Sequence, residues 1–159
     1  MISYEKVKQS FRSFTILSIV ISAIVTVIYL LGIAGILLLM ANLNNPKFTA
    51  AYTDNQLATL KLSITPFAIF MSVLSLAIAI SIIVFSALNL SKLKKNAELS
   101  YIPHFLGIGV SVLSILFSFT DQISILTLVI QAALIAMYYY TYSRAKLLNQ
   151  QLAEEEVNI

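Results

Sequence analysis

The chain has 159 residues, 59% of them hydrophobic and only 11% charged, where soluble domains carry about 25% charged residues. With a mean hydropathy of +0.91, the composition excludes a soluble globular enzyme, a disordered segment and a nucleic-acid-binding domain. What remains is an integral membrane protein, with the lipid bilayer as its first partner. The absence of cysteine excludes disulfides, thiolate metal sites and thiol redox chemistry.

Four uncharged runs follow one another: Ser13 to Pro46 (34 residues), Leu62 to Ser91 (30), Leu99 to Thr120 (22) and Gln122 to Ser143 (22). About 20 mainly apolar residues in a helix cross the roughly 30 Å of hydrocarbon. Each run qualifies, and none alternates apolar with polar residues as a barrel strand would. The expected fold is all-α: a single domain, residues 1–159, built as an integral membrane bundle of four transmembrane helices in two antiparallel hairpins.

In chain order, the N-terminal tail, residues 1–13, places Tyr4, Val7, Phe11 and Phe14 at helical spacing with Lys6, Lys8 and Arg12 between them. It reads as a short amphipathic basic helix lying on an anionic leaflet, or as the ordinary basic flank of a first span. A signal peptide is disfavoured, because its apolar region would be about half this length. The first span is Phe14–Asn42, stopped by Asn42, Asn44, Asn45 and Pro46. The loop from Leu43 to Thr65 is too short for a folded domain. Thr65 as N-cap and Pro66 at the first helical position open the second span, Pro66–Leu90. Pro103 opens the third, Pro103–Phe119, and Thr120 or Asp121 caps the fourth, Gln122–Tyr142. In the C-terminal tail, residues 143–159, Ala145, Leu148 and Leu152 continue the helical spacing before Glu154, Glu155 and Glu156.

Basic residues set the orientation. Lys6, Lys8, Arg12, Lys92, Lys94, Lys95, Arg144 and Lys146 lie on one side, and only Lys47 and Lys61 on the other. Both termini are therefore expected in the cytoplasm, with Tyr101, Tyr138, Tyr139, Tyr140 and Tyr142 as an interfacial aromatic belt. Spans one and two are longer than three and four, so the loop carrying Tyr52 and Asp54 is expected to project above the Asp121 turn. These three residues are the candidate outer contact.

Reactive groups are few. His104, the single histidine, is expected as a snorkelling interfacial tip. It cannot supply a zinc site alone. No phosphate-binding glycine loop is present, no serine lies in a recognisable nucleophile motif, and no span contains Asp, Glu, Lys or Arg. No catalytic residue, cofactor or metal is assigned. The spans instead carry small and weakly polar stripes: Ser18, Ser22, Tyr29 and Gly32; Ala68, Ser72, Ser75, Ala79 and later Ser86; Gly107, Ser111, Ser114 and Ser118; Thr120, Ser124, Thr127 and Gln131. Such faces let helices approach closely and hydrogen-bond in lipid. Antiparallel pairing across a tight turn sets Gly107 opposite Leu134, Ser111 opposite Gln131 and Ser114 opposite Thr127, with a Ser111–Gln131 hydrogen bond near the midplane.

Little chemistry and well-patterned faces point to a non-enzymatic protein acting through helix contacts. It would be an accessory subunit, scaffold, regulator or immunity-type protein, binding another membrane protein or itself. A homo-oligomeric channel or small-solute transporter is the alternative. Eight Lys against two Arg, with abundant Ile and Asn, fits a bacterial cytoplasmic membrane. The topology is directly testable in this cysteine-free background. A cysteine at Thr53 should react with an impermeant reagent added outside intact cells, and one at Asn96 should react only after permeabilisation; the opposite pattern inverts the orientation.

Overall fold

The computed structural model describes residues 3–118 and 124–157, and every regular element among them is an α-helix. They are α1 (Tyr4–Asn42), α2 (Pro46–Thr49), α3 (Asp54–Ser63), α4 (Pro66–Lys94), α5 (Ile102–Ser118) and α6 (Ile125–Val157). Three of them, α1, α4 and α6, are long and apolar enough to cross a membrane. The 17 residues of α5 extend about 26 Å at 1.5 Å per residue, so α5 is a shorter apolar helix.

Local chemistry sets the helix ends. The Thr65 hydroxyl accepts from the Ala68 amide at 3.3 Å, so Thr65 with Pro66 starts α4 as its sequence implies. At the other end of α4, Asn96 takes the left-handed conformation at φ 48°, and the Ala97 amide donates back to the Lys92 carbonyl at 3.0 Å. This is the αL helix stop that asparagine tolerates. Helix α6 begins at Ile125: Ser124 lies just before it and its hydroxyl accepts from the Thr127 amide at 3.5 Å. Ser124 is thus a cap and not a member of a packing stripe. Thr120 and Asp121, the caps expected from sequence, lie outside the described residues. So do Phe119, the expected end of the third span, and Gln122, the expected start of the fourth.

The chain divides into two compact units, residues 1–22 with 80–159, and residues 23–79. In the first, the N-terminal stretch is not a separate surface helix. It is the opening of the 39-residue α1, and its apolar face is buried. Val7 and Phe11 form one cluster with Leu93, Leu99, Ala145 and Leu148, flanked by Tyr4 and Tyr101. The apolar stripes of the two tails therefore find each other, as burial from water demands. The C-terminal stripe continues α6 without a break, as its spacing implies. In the second unit, the segment after Asn42 is not plain loop. Asn45 caps α2 by accepting from the Lys47 amide at 3.1 Å. Thr53 and Gln56 form a reciprocal capping box that opens α3.

Helices α5 and α6 pack closely against each other. A Cβ at Gly107 would overlap the ring of Tyr138, so Gly107 makes room for Tyr138 rather than for Leu134, one helical turn away. Tyr138 is itself buried. Gly107→Ala should therefore cost about 1–3 kcal/mol, the usual penalty of overpacking. Gly109→Ala, which meets open space, should be tolerated. Thermal unfolding in detergent checks both. In a double-mutant cycle, adding Tyr138→Leu should relieve part of the Gly107→Ala loss.

Candidate functional site

Within the first unit each long element turns one stripe inward, and the stripes change character along their length. On α1 the buried residues are Val7, Phe11, Thr15, Ser18 and Ser22, at steps of four, four, three and four. On α4 they are Ile82, Ser86, Asn89 and Leu93; on α5, Pro103, His104, Gly107 and Ser111; on α6, Met137, Tyr138, Thr141, Ala145 and Leu148. The part nearest the chain termini is apolar. Beyond it comes a layer in which the rings of Phe11 and His104 meet edge to face, with centroids 6.1 Å apart. Further along the helices the interior holds hydroxyls.

His104 is 2% exposed, so it is an interior residue and not the snorkelling tip that its place near a helix end suggests. Pro103, one residue before it, is also fully buried. The Nε2 of His104 has no hydrogen-bond partner, and neither do the hydroxyls of Thr15, Ser18 and Ser86, although all four atoms are buried. Buried polar atoms are usually paired, and each orphan costs free energy. The hydroxyl of Thr141, by contrast, donates to its own helix at Met137, at 2.7 Å. Two further unpartnered buried atoms, Arg144 Nε and Gln151 Oε1, lie on α6, so unused donors and acceptors occur on all four helices of this unit.

Two asparagines hold the segment that leads into this interior. The Asn89 amide donates to the Ser100 carbonyl at 2.7 Å and accepts from the Ser100 amide at 2.8 Å. Asn149 does the same to Leu99, accepting at 2.8 Å and donating at 2.9 Å, and also donates to the Tyr101 hydroxyl at 3.0 Å. A side-chain amide carries a donor and an acceptor side by side, so it can satisfy both backbone groups of one residue, as a neighbouring strand would. Three consecutive residues, Leu99 to Tyr101, are thereby fixed between α4 and α6 just before α5 begins. Sequence reading passed over both asparagines. The signal was an Asn at the edge of an apolar run and another in a helical tail, each able to face a short polar connection.

Of the residues singled out in sequence, Gly107 and Ser111 are buried, while Ser114, Thr127 and Gln131 are half-buried. The structure joins Gly107 to Tyr138. Ser111 and Gln131 share no hydrogen bond, so the expected midplane amide pairing is absent among the described residues. The Ser118 hydroxyl instead bonds back to the Ser114 carbonyl at 2.8 Å. The tyrosines separate into distinct environments. Tyr142 packs on Tyr101 and Phe105, each 5.2 Å away, Tyr140 lies between Phe14 and the Arg144 guanidinium, and Tyr139 is largely exposed.

In the second unit, Tyr52 stacks on Phe48 at 5.1 Å, and Asp54 occupies the first turn of α3, where its charge suits the helix dipole. Tyr52 borders a shallow cavity of about 360 Å³ with Asn55, Gln56, Thr59 and Leu60. Asp121, the third expected contact, lies outside the described residues. No group of three or more His, Asp or Glu gathers to hold a metal among the described residues.

The chain matches no family model, no curated protein and no solved structure.

The asparagine clasp makes a sharp expectation. Asn89→Ala and Asn149→Ala each leave a buried or half-buried amide and carbonyl unpaired, at about 1–3 kcal/mol per group. Each should lower the unfolding temperature in detergent. Both should also open the connection around Lys95 to Glu98 to limited trypsin cleavage. Asn55→Ala, on the exposed face of α3, should do neither.

Proposed function

We propose that this is a multi-pass protein of the bacterial cytoplasmic membrane, with four spans and both termini in the cytoplasm. On this reading it acts without catalysis, through helix contacts with another membrane protein or a second copy, as an accessory subunit, scaffold, regulator or immunity-type protein. Three long apolar helices support the membrane location. The eight-to-two division of basic residues supports the orientation. The fourth span is α5, whose roughly 26 Å would be met by local thinning of the bilayer or by its polar flanks.

The observation that carries the contact reading is the state of the second unit. Among its described residues only Ala79 is buried, and Gly32 and Gly35 on α1 each face open space where a Cβ would stand. The first unit fills its own interior; the second offers small residues to which another helix could draw close. A photo-reactive side chain placed at Gly35 should cross-link to one protein of discrete mass in intact membranes, which should also co-purify in mild detergent. A partner-free monomer with no discrete cross-link sinks the proposal.

The unpartnered hydroxyls of Thr15, Ser18 and Ser86, together with His104, favour a second reading, a channel or small-solute transporter with a polar path. On that reading Thr15→Val with Ser86→Ala would change flux in proteoliposomes while leaving the protein folded. Under the contact reading these apolar replacements are neutral or stabilising, since no hydrogen bond is lost, and no flux is seen with or without them.

A further inference from the structure

We propose that the groove between the start of α1 and the end of α4 binds the headgroup and upper chain of an anionic phospholipid. The groove has a volume of about 490 Å³ and is lined by Lys8, Gln9, Arg12 and Ile16 from α1 and by Leu90 and Lys94 from α4, with Leu93 also lining it and Glu5 at its edge. Three cations face one carboxylate, so the site carries an excess of two positive charges.

The order of residues along each helix gives the groove its direction. On α1, Lys8, Arg12 and Ile16 step by four and share one face; the charges come first and the apolar residue lies toward the long hydrophobic run. On α4, Leu90 and Lys94 also step by four, with the apolar residue on the hydrophobic side and the charge at the helix end. Both walls therefore run from cationic to apolar in the same sense as a phospholipid. Ile16 is 43% exposed and Val20, one turn further along α1, is 49% exposed, so the apolar wall continues along α1. A soluble phosphate would use only the cationic end. Part of that end is already ordered, because the Lys8 ammonium bonds the Asn96 side chain at 3.2 Å and lies over the Tyr4 ring. Arg12 and Lys94 are exposed and free to close on a phosphate, for which the guanidinium is the better-shaped donor.

The inference rests on the membrane reading above, and the experiment separates the two. The full-length protein in neutral detergent is titrated with phosphatidylglycerol or phosphatidylcholine and the adducts counted by native mass spectrometry. Phosphatidylglycerol should be retained in preference to phosphatidylcholine. The double variant Arg12→Gln/Lys94→Gln should bind it about 25-fold more weakly, at about fivefold per basic residue near an anionic lipid. Arg12→Lys/Lys94→Arg should retain binding, as should Lys47→Gln/Lys61→Gln. Circular dichroism should show all three variants folded, since the substituted side chains lie on the surface. Equal phosphatidylglycerol binding by the glutamine variant overturns the site, and so does competition by millimolar inorganic phosphate, which would mark a free-phosphate site. If alkaline carbonate strips the chain from membranes, the membrane reading and this inference fall together. Retention in the membrane with lipid binding unaltered by the substitutions overturns this inference alone.

Discussion

Hydrocarbon is as apolar as a leucine side chain, so hiding leucine between helices in a membrane brings little gain, and close packing and hydrogen bonding decide what faces inward. The side chains of this protein are sorted by that constraint. Along the apolar run of α1 the buried residues are Thr15, Ser18 and Ser22, while Ile16, Leu17, Val20 and Ile24 lie on the surface. On α4, Ser86 and Asn89 are buried and Val84 and Leu88 exposed; on α5, His104 and Ser111 are buried and Phe105, Val112 and Leu113 exposed. A soluble bundle would reverse each of these choices.

The sorting changes where the helices run past their apolar stretches. There Val7, Phe11, Leu93, Leu99, Ala145 and Leu148 close into an apolar cluster, which is what water rewards. The transition passes through the Phe11–His104 contact, one ring from each regime. Two asparagine side chains, Asn89 and Asn149, secure the connection entering α5 by pairing with its backbone. Backbone–side-chain pairing suits this place because a short connection between helices has no partner of its own for these groups. One end of the first unit is thus held by hydrophobic burial and directed hydrogen bonds, and the rest by small residues that permit close approach.

Close approach is most explicit at Gly107, where the missing Cβ admits the buried ring of Tyr138. The same residue type has a different meaning at Gly32 and Gly35, where a Cβ would meet no described residue within 4 Å. Glycine in an apolar helix is an opening for a neighbour. At Gly107 the neighbour is α6; at the other two positions no described residue fills the space, which is why the proposed partner contact is placed there.

Much of this was written in the sequence. Long uncharged runs fix helices, because every backbone group in hydrocarbon must be satisfied within its own segment. Thr65 with Pro66, and Asn42 to Pro46, mark helix ends because capping is local. Helical spacing marked the faces on which Ser18, Ser22, Ser86, Gly107 and Ser111 are buried, while Gly32 of the first stripe is exposed and Ser72, Ser75, Ser114 and Ser118 are half-buried. The tertiary structure decided the rest. Gly107 meets Tyr138 and not Leu134, and among the described residues Gln131 does not bond Ser111, because the pairing of two antiparallel helices depends on the whole packed geometry and not on spacing along either one. His104 is interior, where it meets Phe11, 93 residues earlier in the chain, edge to face. The tail stripes, legible as helical, gave no sign that each was the other's partner. Spacing along one helix reveals which face is turned inward; what that face meets depends on helix ends, connection lengths and side-chain volumes elsewhere, and these act only once the helices are packed together.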